Sequence, residues 1–229
     1  MKITWLGHSA FRIETAKSVI LIDPFLTGNP TFERAGLDRD AAIAGVTHVA
    51  LTHGHDDHIG DTVEICAATG ATLMAVYELG AYLAGKGVKS FEPMNTGGTV
   101  RSGDFALTLV DAKHSSSSNG VYLGNPCGIV LTPDAGPVIY HMGDTAAFPG
   151  MGMVHALHAP EIGIVPIGDR FTMGAKQAAY ACKTYFDFKR VIPCHYGTFP
   201  IIDQTADAFV AEMAGHHVDV PAPGGSIAV

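Results

Sequence analysis

The sequence predicts a four-layer αββα sandwich, an α/β (α+β) architecture of two mixed β-sheets packed together with helices on both outer faces. Three observations lead there. The first 25 residues read as strands only, strand–helix alternation follows, and the same order returns in the second half of the chain. Ile3–Leu6, Phe11–Glu14 and Val19–Ile22 are short β-rich runs, broken at Gly7-His8-Ser9 and at Thr15-Ala16-Lys17-Ser18. A helix near Asp40–Ala44 leads to a strand at His48–Thr52, a helix at Asp61–Ala68 and a strand at Thr72–Val76. Glu78–Ala84 reads as a helix stopped by Gly85 and Gly87. The middle is β-rich at Phe105–Ala112, Gly128–Thr132 and Val138–Met142, with the serine run Ser115–Ser118 as a loop. His155 and His158 share a helical spacing. Alternation then resumes with strand Ile162–Ile167, helix Ala175–Phe186, strand Arg190–Pro193, helix Thr205–Ala214 and a last strand Ser226–Val229. A doubly wound parallel sheet would leave the strand-only beginning without a place, and no glycine-rich phosphate cradle follows a strand.

At 229 residues the chain suits one domain, 1–229, and nothing in it resembles a linker or repeat. With 47% hydrophobic and only 16% charged residues it is no disordered segment. Its net charge of −8 repels phosphate backbones, so no nucleic-acid partner is expected. No apolar stretch is long enough to span a membrane, and no leader pattern opens the chain. The four cysteines, Cys66, Cys127, Cys182 and Cys194, stand far apart and read as free thiols of a reducing compartment, so the expected location is cytoplasmic. The sequence leaves homo-oligomerisation open.

One segment carries the chemistry. At the end of the His48–Thr52 strand stands His53-Gly54-His55-Asp56-Asp57-His58. Three imidazoles and a carboxylate buried so close together would repel or go unsatisfied without a cation. Imidazole nitrogen and carboxylate oxygen suit zinc first, with manganese, iron or nickel as alternatives. Period-two alternation would point His53, His55 and Asp57 the same way, with His58 turning as the chain enters a helix. Three more candidates end strands elsewhere: His114 after Phe105–Ala112, Asp144 after Val138–Met142 and His195 after Arg190–Pro193. Gly143 would let the backbone come close to the site.

His53, His55, Asp57 and His58 match the HxHxDH signature, and the chain resembles the metallo-β-lactamase superfamily. Within it, Gly7-His8-Ser9, Ile22-Asp23-Pro24-Phe25-Leu26, Phe171-Thr172-Met173-Gly174 and Ile192–Pro200 resemble the cytosolic metal-dependent hydrolases related to ascorbate-6-phosphate lactonases and N-acyl phosphatidylethanolamine phospholipases D. The resemblance implies the metallo-β-lactamase fold and two divalent transition metal ions per chain. It implies that His53, His55 and His114 hold one ion, that Asp57, His58 and His195 hold the other, and that Asp144 bridges them. It also puts His8, a candidate catalytic residue, at the rim of the site or behind the ligands. Asp23 either accepts an N–H from a ligating imidazole or caps the local turn. Phe171, Thr172, Met173, Tyr196 and Thr198 are candidate pocket residues. Where the family often has Gly-Gly or Gly-His before Phe-Thr-Met, this chain has Asp169-Arg170. The other six histidines, His48, His141, His155, His158, His216 and His217, are expected to be structural or solvated.

The expected activity is hydrolysis of a small ester, lactone or phosphodiester. Two metals about 3.5–4 Å apart would share a water whose hydroxide form attacks, with Asp57 orienting it and taking its proton. A ribonuclease of the same superfamily is the alternative, as is a metal-binding protein without turnover. The ribonuclease usually needs an RNA-clamping domain for which this acidic chain has little room.

Overall fold

The N-terminal run folds as an antiparallel meander of β1 (Lys2–Gly7), β2 (Ala10–Glu14) and β3 (Val19–Ile22) in the computed structural model, which describes residues 1–229. Two short helices, α1 (Pro30–Arg34) and α2 (Arg39–Ile43), lead into β4 (His48–Ala50), α3 (Asp56–Ile59), α4 (Thr62–Thr69), β5 (Thr72–Val76), α5 (Tyr77–Ala84) and β6 (Phe91–Met94). The second half holds β7 (Thr99–Ser102), β8 (Phe105–Asp111), β9 (Ser117–Ser118), β10 (Val121–Tyr122), β11 (Cys127–Pro133) and β12 (Ile139–His141). It continues through α6 (Met151–His158), β13 (Ile162–Pro166), α7 (Ala175–Tyr185), β14 (Arg190–Cys194), α8 (Asp207–Glu212) and β15 (Ser226–Ala228).

Two mixed sheets result, one ordered β15-β1-β2-β3-β4-β5-β6 and the other β14-β13-β12-β11-β8-β7. The αββα sandwich expected from the strand–helix pattern is therefore the fold. Central strands such as β4, β8 and β13 are buried along nearly their whole length, because each lies between the opposite sheet and a helix layer. Small residues make the outer layer thin: Ala178, Ala179, Ala181 and Cys182 are the buried face of α7. The sheets are also joined by buried histidines. His141 Nδ1 accepts from Gly143 N (3.1 Å) and its Nε2 donates to Ser9 O (3.1 Å), while His48 pairs with Ser102 Oγ (2.9 Å) and meets Phe105 edge-on.

The direction of the strands places the site. β1, β3 and β4 run the same way in the first sheet, and β8, β12 and β14 do so in the second. Their C-terminal ends, which carry His8, Asp23, His53, His114, Asp144 and His195, thus form the mouth of the site.

Several boundaries differ from the sequence reading. The strands β6 and β7 and the helix α1 were not foreseen. Both strands are sheet edges and carry no apolar run; β6 even holds Pro93, which an edge accommodates readily. The helix α1 starts at a signal too short to stand out, Asn29 capping Thr31 N and Phe32 N ahead of Pro30. Ser117–Ser118 is not loop but half of a hairpin with β10, closed by Asn119 (φ 49°) and Gly120 (φ 78°). Strand β4 stops at Ala50 because Thr52 N donates to the Asp23 carboxylate rather than to a neighbouring strand. Asp57 lies in α3, so a helical turn rather than strand alternation aims it, while His58 lies in a helix as expected.

Candidate metal centre

The segment after β4 leaves the sheet extended, and there His53 Nε2 comes within 3.0 Å of His55 Nδ1. The serine run pins this segment. Gly54 N donates to Ser116 Oγ (3.0 Å), Ser115 Oγ faces His55 Nε2 (3.3 Å) and Ser118 Oγ donates to Asp56 Oδ1 (2.6 Å). That role went unread in the sequence, where four serines look like any loop. His114, at the end of β8, completes a trio with His53 and His55 whose ligating atoms lie within 4.8 Å of one another. A second group at the same spacing joins His8, Asp57, His58 and His195. Asp144 stands between them. Its Oδ2 is 3.1 Å from His195 Nε2 and 3.5 Å from His114 Nε2, and its Oδ1 is 3.4 Å from His58 Nε2.

Sharp turns bring these side chains in. His8 (φ 53°), Asp23 (φ 46°) and His195 (φ 59°) all adopt left-handed backbone right after a strand, a conformation His and Asp enter more readily than most. Gly143 (φ 64°) is required for a different reason, since a Cβ there would lie 2.7 Å from Cys127 O and 3.0 Å from Thr52 Cβ.

A family model of the beta-lactamase superfamily domain matches residues 18–196, which span every candidate ligand in these groups but His8. The chain belongs to the beta-lactamase superfamily. A metal-dependent hydrolase of Brucella anthropi is 59% identical over 221 residues, covering 94% of this chain and 93% of the relative. Another from Methylocella silvestris is 55% identical over 227 residues and 97% of both chains. At that identity over nearly the full length, this superfamily member is one of the metal-dependent hydrolases. Among solved structures, a metallo hydrolase of the archaeon Ignicoccus hospitalis aligns with a TM-score of 0.88 at 33% identity, over 99% of this chain and 97% of that one. The isothiocyanate hydrolase from Delia radicum gut bacteria shares the fold, with a TM-score of 0.78 at 20% identity over 100% and 99% of the two chains.

The donor set of this hydrolase fits a cation. His58 Nε2 and Asp144 Oδ1 are buried without a hydrogen-bond partner, the state of groups shaped for an ion. Tautomers agree. Asp23, wholly buried, accepts from Thr52 N (2.8 Å), Thr52 Oγ1 (2.6 Å) and His58 Nδ1 (2.7 Å). Thr52 Oγ1 in turn accepts from His53 Nδ1 (2.9 Å). One carboxylate therefore fixes both rings, His58 directly and His53 through Thr52, leaving each Nε2 free as a ligand. Thr52 was not singled out in the sequence; only its place before His53 could have drawn notice.

Of the two places the resemblance allows His8, the structure has it behind the candidate ligands and not at the rim. It is fully buried, with Nε2 3.1 Å from Asp57 Oδ2, Nδ1 3.0 Å from Thr198 Oγ1, and its ring 4.1 Å from that of His195. Of the candidate pocket residues, only Phe171 lines the cavity beside the ligands, which holds about 500 Å³. Met173 is core, Thr172 bends back to Met173 O, Tyr196 stacks on Trp5 at 5.1 Å and Thr198 stands behind His8. The remaining apolar walls are Phe199 and Ile201. Cys194 is buried, and burial pushes its thiol well up, so it is no nucleophile. None of the six histidines set aside in the sequence joins either group.

Burial dominates the electrostatics. It would raise the Asp57 carboxyl, but His58 and the hydrogen bond from His8 hold it well below the usual carboxylate range. It would lower His58, yet the carboxylates Asp144, Asp23 and Asp57 drive it well above 6.5, so a positive charge is wanted there. Burial, with help from His195, pushes His8 down to about 4, and burial also lowers His53 and His114. In the unfolded chain these imidazoles titrate near 6.5. Unfolding therefore takes up protons below that pH, and stability present above it drains away as pH falls toward 4. His58 works the other way, its contribution being full below 6.5 and lost as pH rises through its raised value. The melting temperature of chelator-treated protein is expected to fall steadily between about pH 6.5 and 4. A constant value across that window would mean that these rings are protonated in the fold.

Proposed function

We propose that the chain is a single hydrolase domain holding two divalent transition metals and cleaving a small ester, lactone or phosphodiester bond. His53, His55 and His114 would hold one ion, Asp57, His58 and His195 the other, with Asp144 reaching both. The supporting observation is Asp144 itself, a buried carboxylate with one oxygen facing His195 and His114 and the other, unpaired, facing His58. When bound, the metals supply Lewis acidity, lowering the pKa of a shared water and stabilising charge that develops on the scissile group. Zinc suits the imidazole-rich set first, with manganese, iron or nickel as alternatives.

The chain supplies the rest. His8, neutral at working pH, donates from Nε2 to Asp57 Oδ2 and accepts at Nδ1 from the Thr198 hydroxyl. That fixes Asp57 with its carboxylate ionised and turned to the cavity, where it can orient the attacking water and take its proton. Asp23 and Thr52 keep the rings from rotating. The four buried thiols fit a cytoplasmic location.

Protein purified without chelator is expected to carry close to two transition metals per chain by elemental analysis. Chelation should abolish hydrolysis of bis-p-nitrophenyl phosphate or of the responsive member of a lactone and ester panel, and added metal should restore it. One metal per chain would remove the dinuclear assignment, and full activity after chelation would remove the metal-dependent mechanism.

A further inference from the structure

The turn Asp169-Arg170 has two consecutive residues in left-handed backbone, at φ 57° and 52°. Neither is a glycine, so the turn is strained, and strain of this kind persists only where surrounding structure imposes it. Here it is imposed closely. Asp169 N donates to Met173 O (3.1 Å), Thr172 N donates back to Asp169 O (3.2 Å), and Phe171 N reaches Asp169 O as well. Met173, wholly buried, anchors the turn through its N–H to Thr145 O (3.2 Å), the neighbour of Asp144. The product of this strain is Phe171, a large apolar side chain left 52% exposed on the cavity wall. Arg170 lays its guanidinium 5.7 Å from the Phe171 ring centroid, outside the cavity lining.

Two further apolar side chains line the same cavity. Ile201 is 55% exposed, and Phe199 is fixed by stacking on Phe25 (6.4 Å) and by an edge contact with His8 (5.3 Å). Single exposed apolar residues are ordinary, but three converging on one cavity beside the ligand groups are not. No lysine or arginine lines that cavity, while Asp57 and Asp144 do. An anionic substituent away from the metals would meet carboxylates and no cation.

We propose that the Asp169–Phe171 turn is a specificity device, holding Phe171 as one wall of an apolar slot that takes an uncharged aryl or alkyl group next to the scissile bond. This rests on the hydrolase reading above and narrows its substrate class. The test is binding of phenylacetamide and of inorganic phosphate to metal-loaded protein, followed by NMR titration. Phe171→Ala should weaken phenylacetamide about tenfold, the worth of a ring's partial burial, and leave phosphate unchanged. The double change D169G/R170G should keep the melting temperature or raise it, yet weaken phenylacetamide several-fold by releasing Phe171. With p-nitrophenyl esters, kcat/KM should rise about tenfold from acetate to hexanoate, through KM, and fall for the carboxylate-ended succinate. Phe171→Ala should flatten that series. Equal phenylacetamide affinity in wild type and Phe171→Ala, or preference for the succinate, would overturn the slot. If no ester turns over while Phe171→Ala still weakens phenylacetamide, the slot stands and the ester-cleaving reading falls.

Discussion

Asp57→Asn is expected to cut turnover by about 10²–10⁴-fold, with metal loss adding to that figure, while Asp56→Asn leaves turnover within a few-fold. The two residues are neighbours of identical chemistry and serve as each other's control. Asp57 is held by His8 at 3.1 Å and keeps 30% of its side chain open to the cavity. Its replacement keeps the shape but removes the negative charge and the oxygen that would take the proton. Asp56 is exposed at the first turn of α3 and faces the other way, accepting from Ser118 Oγ. An asparagine there still accepts that hydrogen bond. Steady-state rates with metal content measured on the same samples decide the matter. Equal damage from the two changes, or greater damage at Asp56, would put the ligand register in error.

Asp23→Asn is expected to weaken metal binding about 10–100-fold although Asp23 is among none of the ligand groups. Three donors converge on this buried carboxylate: Thr52 N, Thr52 Oγ1 and His58 Nδ1. An amide offers one oxygen and turns an N–H₂ group against a donor, so His58 is no longer obliged to carry its proton on Nδ1. The loss should be larger at the proposed site of His58 than at the proposed site of His53, which Asp23 reaches only through Thr52. Competition titration against a chromophoric chelator resolves the two affinities. Unchanged affinity at both would leave Asp23 as a turn carboxylate that serves the backbone alone.

The candidate ligands were easier to read in the sequence than the framework that aims them. His53, His55, Asp57 and His58 are legible because ligands crowded into six residues have few other uses. His114, Asp144 and His195 could be found because each follows an apolar strand, and the strand pattern was strong enough to mark its own ends. What stayed hidden depends on contacts between distant segments. Thr52 and the serines Ser115–Ser118 look like ordinary small polar residues until folding sets them against Asp23, His53, Gly54, His55 and Asp56. The resemblance left His8 either at the rim or behind the ligands, because a Gly-His-Ser turn does not show what covers it. Here it is sealed by Thr198, which lies 190 residues away in the chain, and by its neighbour Phe199. Edge strands β6 and β7 escaped for the opposite reason, having too little apolar surface to announce themselves.

The candidate ligands are divided between the two sheets, His53, His55, Asp57 and His58 following β4 and His114, Asp144 and His195 following strands of the other sheet. Metal ions there would act as rivets across the seam of the sandwich, a mechanical part as well as a chemical one. The hydrophobic core glues the sheets along their faces, but at the mouth that glue gives way to polar groups. Without ions, buried donor atoms such as His58 Nε2 and Asp144 Oδ1 stay unpaired at that end of the seam; with them, the same groups would clamp it. Loading the enzyme with metal and closing the mouth of its sandwich are then a single event, and a cell short of metal would hold a looser, more readily proteolysed protein rather than a merely idle one.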